Sequence, residues 1–339
     1  MKQLVSILIP AYNAEKWIAY TINCAKSQTW PNKEIIVVDD GSTDETLKIA
    51  RAAESKMIKV VSQENGGACR ARNNALSLAQ GEYIQWLDAD DLLHPEKISI
   101  QLDNGKGKND EKTLLTCSWG KFFYRWQKTK FNKDSLWQHL GPTEWIINKF
   151  SNNVWMNPAV WLVSRYLTDL AGPWDERLTS SGDDDGEYIC RVVAKSNGVR
   201  FVPEAKCYYR IGNIGSLDWG MGESQEKLES LLLALRLSID HLLALEVSAR
   251  TKAASAKYLQ TWLPLFYPAY PSLVKVINDL ISKLDGKMEV PITKRKYQLI
   301  EKLFGVDTTK SIIKNLQKSK LLTYKLYDRI LYSITNNSF

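Results

Sequence analysis

The sequence contains few of the residues that build thiolate or imidazole metal sites. Its 339 residues include five cysteines and three histidines. The cysteines are odd in number, widely separated and without a C-x-x-C pair, which argues against a disulfide framework and against a zinc site. Isolated cysteines of this kind usually serve as small buried apolar side chains.

Long apolar runs are also missing. A helix that crosses a bilayer needs about 18–20 consecutive apolar residues, and no such run occurs in the sequence. The apolar stretch at residues 5–10 is too short for the core of a signal peptide, and no small-residue cleavage site follows it. We therefore expect a soluble chain that stays in the cytoplasm.

Glycine-rich phosphate-binding loops are the third absence. The first apolar run is not followed by G-x-G-x-x-G, and G-x-x-x-x-G-K-[ST] occurs nowhere. These motifs are the signatures of dinucleotide-binding and P-loop folds. A phosphate-bearing ligand must then be held in another way, and a divalent cation on Asp88 and Asp90 is the obvious candidate.

Positive charge is concentrated at the C-terminal end. Residues 287–339 contain eleven basic and four acidic side chains, and so carry the entire formal net charge of +7. Such a basic helical segment fits peripheral contact with the inner face of an anionic membrane, or with a polyanionic acceptor. The solvated face of an ordinary helix is the commoner alternative. Residues 1–286 are formally neutral, and we expect no nucleic-acid partner; an oligomer is compatible with the sequence.

The first hundred residues alternate between short apolar runs and amphipathic segments. Strands are predicted at residues 4–9, 34–38, 59–62 and 83–87, and helices at 15–28, 43–53 and 68–79. This alternation indicates βαβ units around an open, mostly parallel sheet flanked by helices, an α/β fold. Longer helical patterns follow, among them residues 270–284, 294–303 and 308–334. We predict an α/β domain over residues 1–220 and an all-helical C-terminal domain over 221–339, with the boundary near residues 219–222.

Polar residues follow three of the predicted strands. In a parallel sheet the carboxyl ends of the strands meet at one edge, where ligands bind. Unpaired carboxylates are costly to bury, so those at this edge should meet a cation, a ligand or water. The polar loops contain Pro10, Ala11, Tyr12 and Asn13 after the first strand, Asp40 after the second, and Asp88, Ala89, Asp90 and Asp91 after the fourth.

Asp88 and Asp90 lie two positions apart at the end of an extended run, so their side chains point to the same side. Two hard oxygen ligands suit Mg²⁺ or Mn²⁺, which would complete its coordination with water and diphosphate oxygens. The alternative is an acidic turn in which Asp91 caps a helix that begins near Pro95.

Five short blocks occur in a fixed order along the chain. They are VSILIPAYN at residues 5–13, VVDDGSTD at 37–44, NGGACRARN at 65–73, GEYIQWLDADD at 81–91 and DDGEYICR at 184–191. Together they resemble the family 2 glycosyltransferases of GT-A fold, over residues 1 to about 215. In the last block that family often has Glu where this chain has Asp184.

The resemblance implies a nucleotide-diphosphate sugar donor, a divalent cation and transfer with inversion. Asp40 would accept an N–H of the base, Asp88 would lie near the ribose, and Asp90 would coordinate the cation. Arg72 would orient acidic partners or approach phosphate, and Arg210 and Ser216 would lie in a loop that closes over the diphosphate. The residues assigned to donor binding are Pro10, Ala11, Tyr12, Asn13, Asp40, Gly67, Arg72, Asp88, Ala89 and Arg210. Ordinary packing is the alternative for Tyr12 and Arg72.

An inverting transfer also needs a carboxylate that takes the proton of the acceptor hydroxyl. Asp185 is the first candidate, and Asp184 is the second, because three consecutive aspartates leave the register open. The structural alternative is an acidic helix N-terminus, where carboxylates favour the positive end of the helix dipole. Both interpretations can hold together.

The predicted function is metal-dependent transfer of a sugar to a carbohydrate or lipid-linked acceptor in polysaccharide or glycoconjugate synthesis. The resemblance implies a UDP-linked donor, because UDP-sugars are the usual donors of that family. The family's processive members carry a Q-x-x-R-W block that this sequence lacks, which favours addition of a single sugar. One alternative is a sugar nucleotidyltransferase, which leaves Asp184 and Asp185 without a role. The other is a non-catalytic module that binds nucleotide sugars, for which replacing Asp185 changes nothing.

Overall fold

The computed structural model describes residues 2–104, 111–178, 182–212, 224–292 and 295–336. Two expectations, the domain boundary at residues 219–222 and the role of Ser216, fall outside these ranges. The strands are β1 (Val5–Ala11), β2 (Lys33–Asp39), β3 (Ile58–Ser62), β4 (Tyr83–Trp86), β5 (Leu92–Leu93), β6 (Thr113–Phe122), β7 (Val163–Ser164) and β8 (Gly198–Arg210). The helices are α1 (Ile18–Lys26), α2 (Thr46–Arg51), α3 (Ala68–Leu78), α4 (Lys97–Asn104), α5 (Pro142–Asn152), α6 (Arg165–Ala171), α7 (Asp184–Lys195), α8 (Gln225–Leu245), α9 (Ala249–Phe266), α10 (Pro271–Lys283) and α11 (Gln298–Asn336).

The main sheet has five strands in the order β3-β2-β1-β4-β7. The first four are parallel, and only β7 runs antiparallel, against β4. Ile7, Leu8 and Ile9 at the centre of β1 are fully buried, because helices cover both faces of the sheet. The four predicted strands and the mostly parallel sheet are confirmed.

A second sheet was not predicted from the sequence. It has three strands in the order β5-β8-β6, with β6 parallel and β5 antiparallel to β8. The pairing of β6 with β8 slips between Cys117 and Ser118, opposite the segment that holds Pro203. Proline has no backbone N–H to donate to a ladder, and the Ser118 hydroxyl instead donates to the Pro203 carbonyl at 2.9 Å.

The C-terminal helices pack on the α/β part of the chain. The helix α8 lies against α7, and α9 lies against α5. Leu228, Leu231 and Leu235 of α8 are fully buried in the same core as the main sheet. The last two predicted helices form one long element, α11, which is interrupted at Gly305. This residue has a φ of 80°, a backbone conformation that glycine adopts more readily than other residues. No helix among the described residues is long and apolar enough to cross a membrane.

This arrangement brings distant parts of the chain to one edge. The carboxyl ends of β1, β2 and β4 meet there, and the amino ends of α3 and α7 lie beside them. Because Asp184 is the first residue of α7, the expected acidic helix N-terminus is confirmed. The C-terminal half of α11 crosses the same edge from outside.

Candidate functional site

A single large cleft lies at this edge of the sheet. Its volume of 2140 Å³ exceeds the roughly 300–1,000 Å³ of common small-molecule sites, so it has room for two substrates. The cleft is lined by every residue that the sequence assigned to a site, except Ser216, which is not described. These lining residues are Pro10, Ala11, Tyr12, Asn13, Asp40, Gly67, Arg72, Asp88, Ala89, Asp90, Asp184, Asp185 and Arg210. Their individual roles stay predictions.

Asp40 organises the end of the cleft next to β2. Its carboxylate is buried and accepts four hydrogen bonds from the loop before α3. Two of them come from the backbone N–H groups of Gly66 and Gly67, at 2.9 and 2.8 Å. A carboxylate has about four acceptor sites, so Asp40 holds this loop in place, and a hydrogen bond to a base would have to replace one of these contacts.

Asn13 joins the loops after β1 and β2. Its side-chain oxygen accepts the backbone N–H of Thr43 at 2.9 Å, and its own N–H donates to the Ser42 hydroxyl at 3.0 Å. Asn13 adopts a left-handed conformation with φ of 48°, which asparagine tolerates better than most residues. Tyr12 is 52% exposed at the mouth of the cleft, so its ring is available to stack on a ligand.

Arg72 links two acidic segments across the cleft floor. This buried side chain of α3 donates to Asp184 at 2.5 Å and to Asp88 at 3.2 Å, and it stacks on the Trp174 ring at 4.3 Å. Burial lowers the pKa of Arg72, but the two carboxylates outweigh burial and raise it. Arg72 therefore stays charged and holds the start of α7 against the end of β4.

Asp183 belongs to a buried cluster that the sequence analysis missed. Its carboxylate accepts the Tyr258 hydroxyl at 2.5 Å and lies 3.7 Å from the Lys149 ammonium. Tyr258 comes from α9 and Lys149 from α5, and Phe150 stacks on the Tyr258 ring at 4.0 Å. Burial raises the pKa of Asp183, and Lys149 opposes this shift. No sequence motif marks these contacts, because the three groups are far apart along the chain.

The three consecutive aspartates therefore lie in different environments. Asp183 is bound by Tyr258, and Asp184 is bound by Arg72; both are at least nine-tenths buried. Asp185, in the first turn of α7, is only partly buried and lines the cleft. Of the three, Asp185 is thus the most accessible from the cleft.

Asp90 and Asp91 follow β4 and lie next to Arg210. The carboxylate of Asp91 accepts the backbone N–H of Arg210 at 2.8 Å, so the alternative that Asp91 caps a helix is wrong. The Arg210 guanidinium donates to the Asp90 carbonyl at 2.8 Å and stacks on Trp17 at 3.9 Å. Burial, and then the neighbouring carboxylates of Asp90 and Asp88, raise the pKa of Asp91 well above its usual range.

This concentration of carboxylates fits a divalent cation. Asp91 Oδ2 is buried without a hydrogen-bond partner among the described residues, and three negative side chains lie within four positions of one another. Asp88 and Asp90 offer hard oxygen ligands to the cleft, which suit Mg²⁺ or Mn²⁺. No group of three or more ligating side chains in the described ranges could hold a metal by itself, so substrate oxygens or water would have to complete the coordination.

Aromatic side chains also line the cleft. Trp155 packs edge-on against Tyr209 at 5.2 Å, and Trp126 and Trp262 line the cleft as well. Most other tryptophans between residues 119 and 161 are buried in the core, as expected; they are Trp119, Trp137, Trp145 and Trp161. Flat, partly exposed rings of this kind suit the apolar faces of sugar rings.

Comparisons with known proteins found similarity to glycosyltransferases. Residues 6–164 match the model of glycosyl transferase family 2. The E. coli UDP-Glc:alpha-D-GlcNAc-diphosphoundecaprenol beta-1,3-glucosyltransferase WfaP is 46% identical over 101 residues, which are 30% of this chain and 40% of WfaP. The E. coli chondroitin synthase is 43% identical over 102 residues, or 30% of this chain and 15% of the synthase. The similarity thus covers less than half of these relatives.

Solved structures extend the similarity to most of the chain. The structure of S. aureus TarS 1-349 in complex with UDP-GlcNAc has a TM-score of 0.61 at 18% identity and covers 84% of both chains. Its complex with UDP has a TM-score of 0.57 at 21% identity. This likeness confirms the expected α/β fold of GT-A type with its helical C-terminal region. Over its residues 6–164, the chain is similar to glycosyl transferase family 2.

Proposed function

We propose that this chain is an inverting glycosyltransferase that uses a nucleotide-diphosphate sugar of the UDP class. One observation carries the proposal: Asp185 is the member of an aspartate triplet that is accessible from the cleft, and Asp88, Asp90 and Arg210 line that same cleft. The carboxylate that would receive a proton and the groups that would bind a diphosphate thus border one space. The TarS structures with UDP and UDP-GlcNAc support the choice of donor class.

The residues suggest the following chemistry. Asp185 takes the proton of the acceptor hydroxyl while that oxygen forms a bond to the anomeric carbon of the donor sugar. The bond between the anomeric carbon and the diphosphate oxygen breaks on the opposite face, and the nucleoside diphosphate leaves. Arg72 holds Asp184 and Asp88 in place, and Arg210 supplies positive charge next to Asp90. A divalent cation on Asp88 and Asp90 would add Lewis-acid stabilisation of the leaving diphosphate.

The acceptor is proposed to be a carbohydrate or a lipid-linked sugar in cell-surface polysaccharide or glycoconjugate synthesis. Support comes from the aromatic rings that line the cleft and from the relative WfaP, whose name includes a diphosphoundecaprenol acceptor. The outer face of α11 also fits an anionic membrane. Tyr327, Ile330 and Ile334 are 61%, 49% and 62% exposed there, on the most basic segment of the chain. We propose that this face contacts the membrane surface.

We propose that the division of the chain near residue 220 separates two parts of one folding unit. Since α8 and α9 share a buried core with α5 and α7, and since Tyr258 of α9 binds Asp183, we expect residues 221–339 to fold together with the α/β part.

Replacing Asp185 tests the catalytic assignment. Asp185→Asn should leave the affinity for UDP-glucose and UDP-GlcNAc unchanged within about twofold, because the diphosphate-binding groups are intact. Release of UDP, with N-acetylglucosaminyl diphosphoundecaprenol as acceptor, should fall by about 10²–10⁴-fold, the usual contribution of a general base. Binding is measured by calorimetry and turnover by a coupled UDP assay.

The matched control is Asp279→Asn, on the exposed side of α10 and outside the cleft, which should leave turnover unchanged. Equal turnover of Asp185→Asn and the unaltered chain would remove Asp185 from the mechanism. Incorporation of a nucleoside triphosphate with pyrophosphate release would instead favour a nucleotidyltransferase.

Chelation tests the role of a cation. EDTA should weaken binding of UDP-GlcNAc by about tenfold or more, or at least about 1.4 kcal/mol, and Mn²⁺ should restore it. Asp90→Asn should abolish the response to Mn²⁺, because one of the two proposed ligands then lacks its charge. Calorimetry that gives the same affinity with EDTA and with Mn²⁺ would refute metal-dependent donor binding.

A further inference from the structure

The inner face of α11 is fixed against the mouth of the cleft. Asp328 accepts the backbone N–H groups of Tyr124 and Arg125 at 2.9 and 3.1 Å, and the Arg125 guanidinium donates to it at 2.7 Å. Lys325 donates to the carbonyl of Gly212 at 2.6 Å. The helix is therefore attached to the two chain segments that follow β6 and β8, and both segments border the cleft.

Four cationic side chains from separate elements meet at this mouth. Lys325 and Arg329 come from α11, Lys16 precedes α1, and Arg210 ends β8; all four line the cleft. Partial burial lowers the pKa of Lys325, and the positive charges of Lys16, Arg210 and Arg329 lower it further. Lys325 is thus close enough to the other three cations to be repelled by them.

Within this cluster, Arg210 has the carboxylates of Asp90 and Asp91 close by. The nearby carboxylate of Asp328 is engaged by Arg125 and by two backbone N–H groups. Within the part of the chain that the structure describes, Lys16, Lys325 and Arg329 form no ion pair with a carboxylate. Like charges held together in a half-buried cleft are unfavourable unless an anion binds between them.

The chemistry of the cluster points to a diphosphate. Arginine binds phosphate oxygens through two parallel N–H groups, and lysine binds them as a point charge. Four cations match the several negative charges of a diphosphate better than the single charge of a carboxylate. The cluster also lies next to Asp90, through the hydrogen bond from Arg210 to the Asp90 carbonyl, so an anion here would sit beside the proposed cation.

We propose that Lys325 and Arg329 of α11, with Lys16 and Arg210, form a diphosphate-binding wall of the cleft. This inference rests on the proposed function, because it assumes that the diphosphate belongs to a substrate. The diphosphate is either the leaving group of the donor or part of a lipid-linked acceptor. In both cases α11 is part of the substrate site and completes it from outside the α/β fold.

The test removes one charge at a time from the full chain. Lys325→Gln keeps a donor for the Gly212 carbonyl but loses the charge, and Arg329→Gln alters an exposed side chain that the fold does not need. The control is Lys320→Gln, which lies on the same helix but outside the cleft. The probes are inorganic pyrophosphate, UDP, uridine and farnesyl diphosphate, and binding is measured by calorimetry with Mg²⁺ present throughout.

Both cleft variants should weaken binding of pyrophosphate by about tenfold or more, as expected for loss of a charge-assisted hydrogen bond. Uridine affinity and the Lys320→Gln control should not change. A matching loss for UDP assigns the wall to the donor, whereas a loss for farnesyl diphosphate with UDP unaffected assigns it to the acceptor. If both variants bind all three diphosphates with unchanged affinity, the proposed diphosphate-binding wall is wrong.

The same measurements can contradict the proposed function without contradicting this inference. If the unaltered chain binds neither UDP nor a UDP-sugar, the donor assignment is wrong. Pyrophosphate binding that depends on Lys325 and Arg329 would still establish the anion site in that case.

Discussion

Arg72 shows how one side chain can define the geometry of this cleft. Its guanidinium contacts Asp88 at the end of β4 and Asp184 at the start of α7, which are 96 positions apart in the sequence. A planar group with several N–H donors in fixed directions can serve two carboxylates at once, whereas an ammonium group is a single point charge. The sequence offered three interpretations of Arg72, which were orientation of acidic partners, approach to phosphate, and ordinary packing. Its contacts with Asp88 and Asp184 match the first.

Arg72→Lys should therefore lower stability although the charge is kept. We expect the free energy of unfolding to fall by about 1.5–3 kcal/mol, the typical value of a hydrogen bond between charged groups, because lysine cannot reach both carboxylates. Urea denaturation measures the change. Arg70→Lys on the exposed side of the same helix is the control and should have little effect. Equal stability of both variants would show that Arg72 does not join the two segments.

The aspartate triplet marks the limit of sequence reasoning at the scale of single residues. The sequence predicts an acidic helix start and favours Asp185 over Asp184 as the base, but three consecutive aspartates leave the register open. That choice is made by Tyr258 and Lys149, which bind Asp183, and by Arg72, which binds Asp184. These partners come from three different helices, so only the folded chain can distinguish Asp185 from its neighbours.

At the scale of secondary structure, α7 is held to α8 by a second buried charge cluster. Glu187 accepts two hydrogen bonds from Arg191, both at 2.9 Å, and its carboxylate lies 2.9 Å from His241 Nε2. Burial raises the pKa of Glu187, but the contacts with His241 and Arg191 outweigh burial and hold the pKa below its usual value. The packing of α8 thus helps to fix the helix whose first turn contains Asp185, the proposed catalytic residue.

The pH dependence of stability follows from this lowered pKa. The charged carboxylate of Glu187 stabilises the fold at pH values above the unfolded pKa of about 4.3, and this contribution is lost as the pH falls through the folded pKa. Glu187→Gln should lower the free energy of unfolding by about 1.5–3 kcal/mol at pH 7, and the difference from the unaltered chain should shrink below about pH 4.3. Urea denaturation between pH 7 and about pH 3, which extends below the unfolded pKa, measures both values.

Glu226→Gln, at an exposed position of α8, should show no such trend. A difference for Glu187→Gln that stays constant over the whole pH range would mean that its effect comes from packing and not from charge.

The elements that the sequence predicted and those that it missed differ in a physical way. The strands β1 and β2 are short runs rich in β-branched residues and are largely buried on both faces, and such runs are visible in a sequence. The second sheet is built from β6 and β8, which are long, rich in aromatic residues, and interrupted near Pro203. Their pairing depends on contacts between residues about 85 positions apart, so no local pattern indicates it.

At the scale of the whole molecule, α11 has two different faces. On a helix with 3.6 residues per turn, Leu316, Tyr327 and Ile334 lie on the side opposite Lys325. The first three are more than half exposed, whereas Lys325 faces the cleft. The sequence predicts a basic segment with helical apolar spacing here, but a charge count does not show which side of a helix meets the protein.

The outer face of α11 is expected to dock on anionic lipid. The chain should bind vesicles that contain phosphatidylglycerol and not vesicles of phosphatidylcholine alone, and added salt should weaken binding because lysines contribute. Replacing Tyr327 and Ile330 together by serine should reduce binding by about tenfold or more, since two apolar side chains no longer enter the interface.

Val276→Ser, at an exposed position of α10, should bind like the unaltered chain. Because Lys325→Gln acts on the opposite face, it should weaken pyrophosphate binding far more than vesicle binding. Binding is measured by sedimentation with the vesicles. If the serine variant sediments as fully as the unaltered chain, the outer face of α11 does not bind lipid, and only the proposed role of its inner face remains.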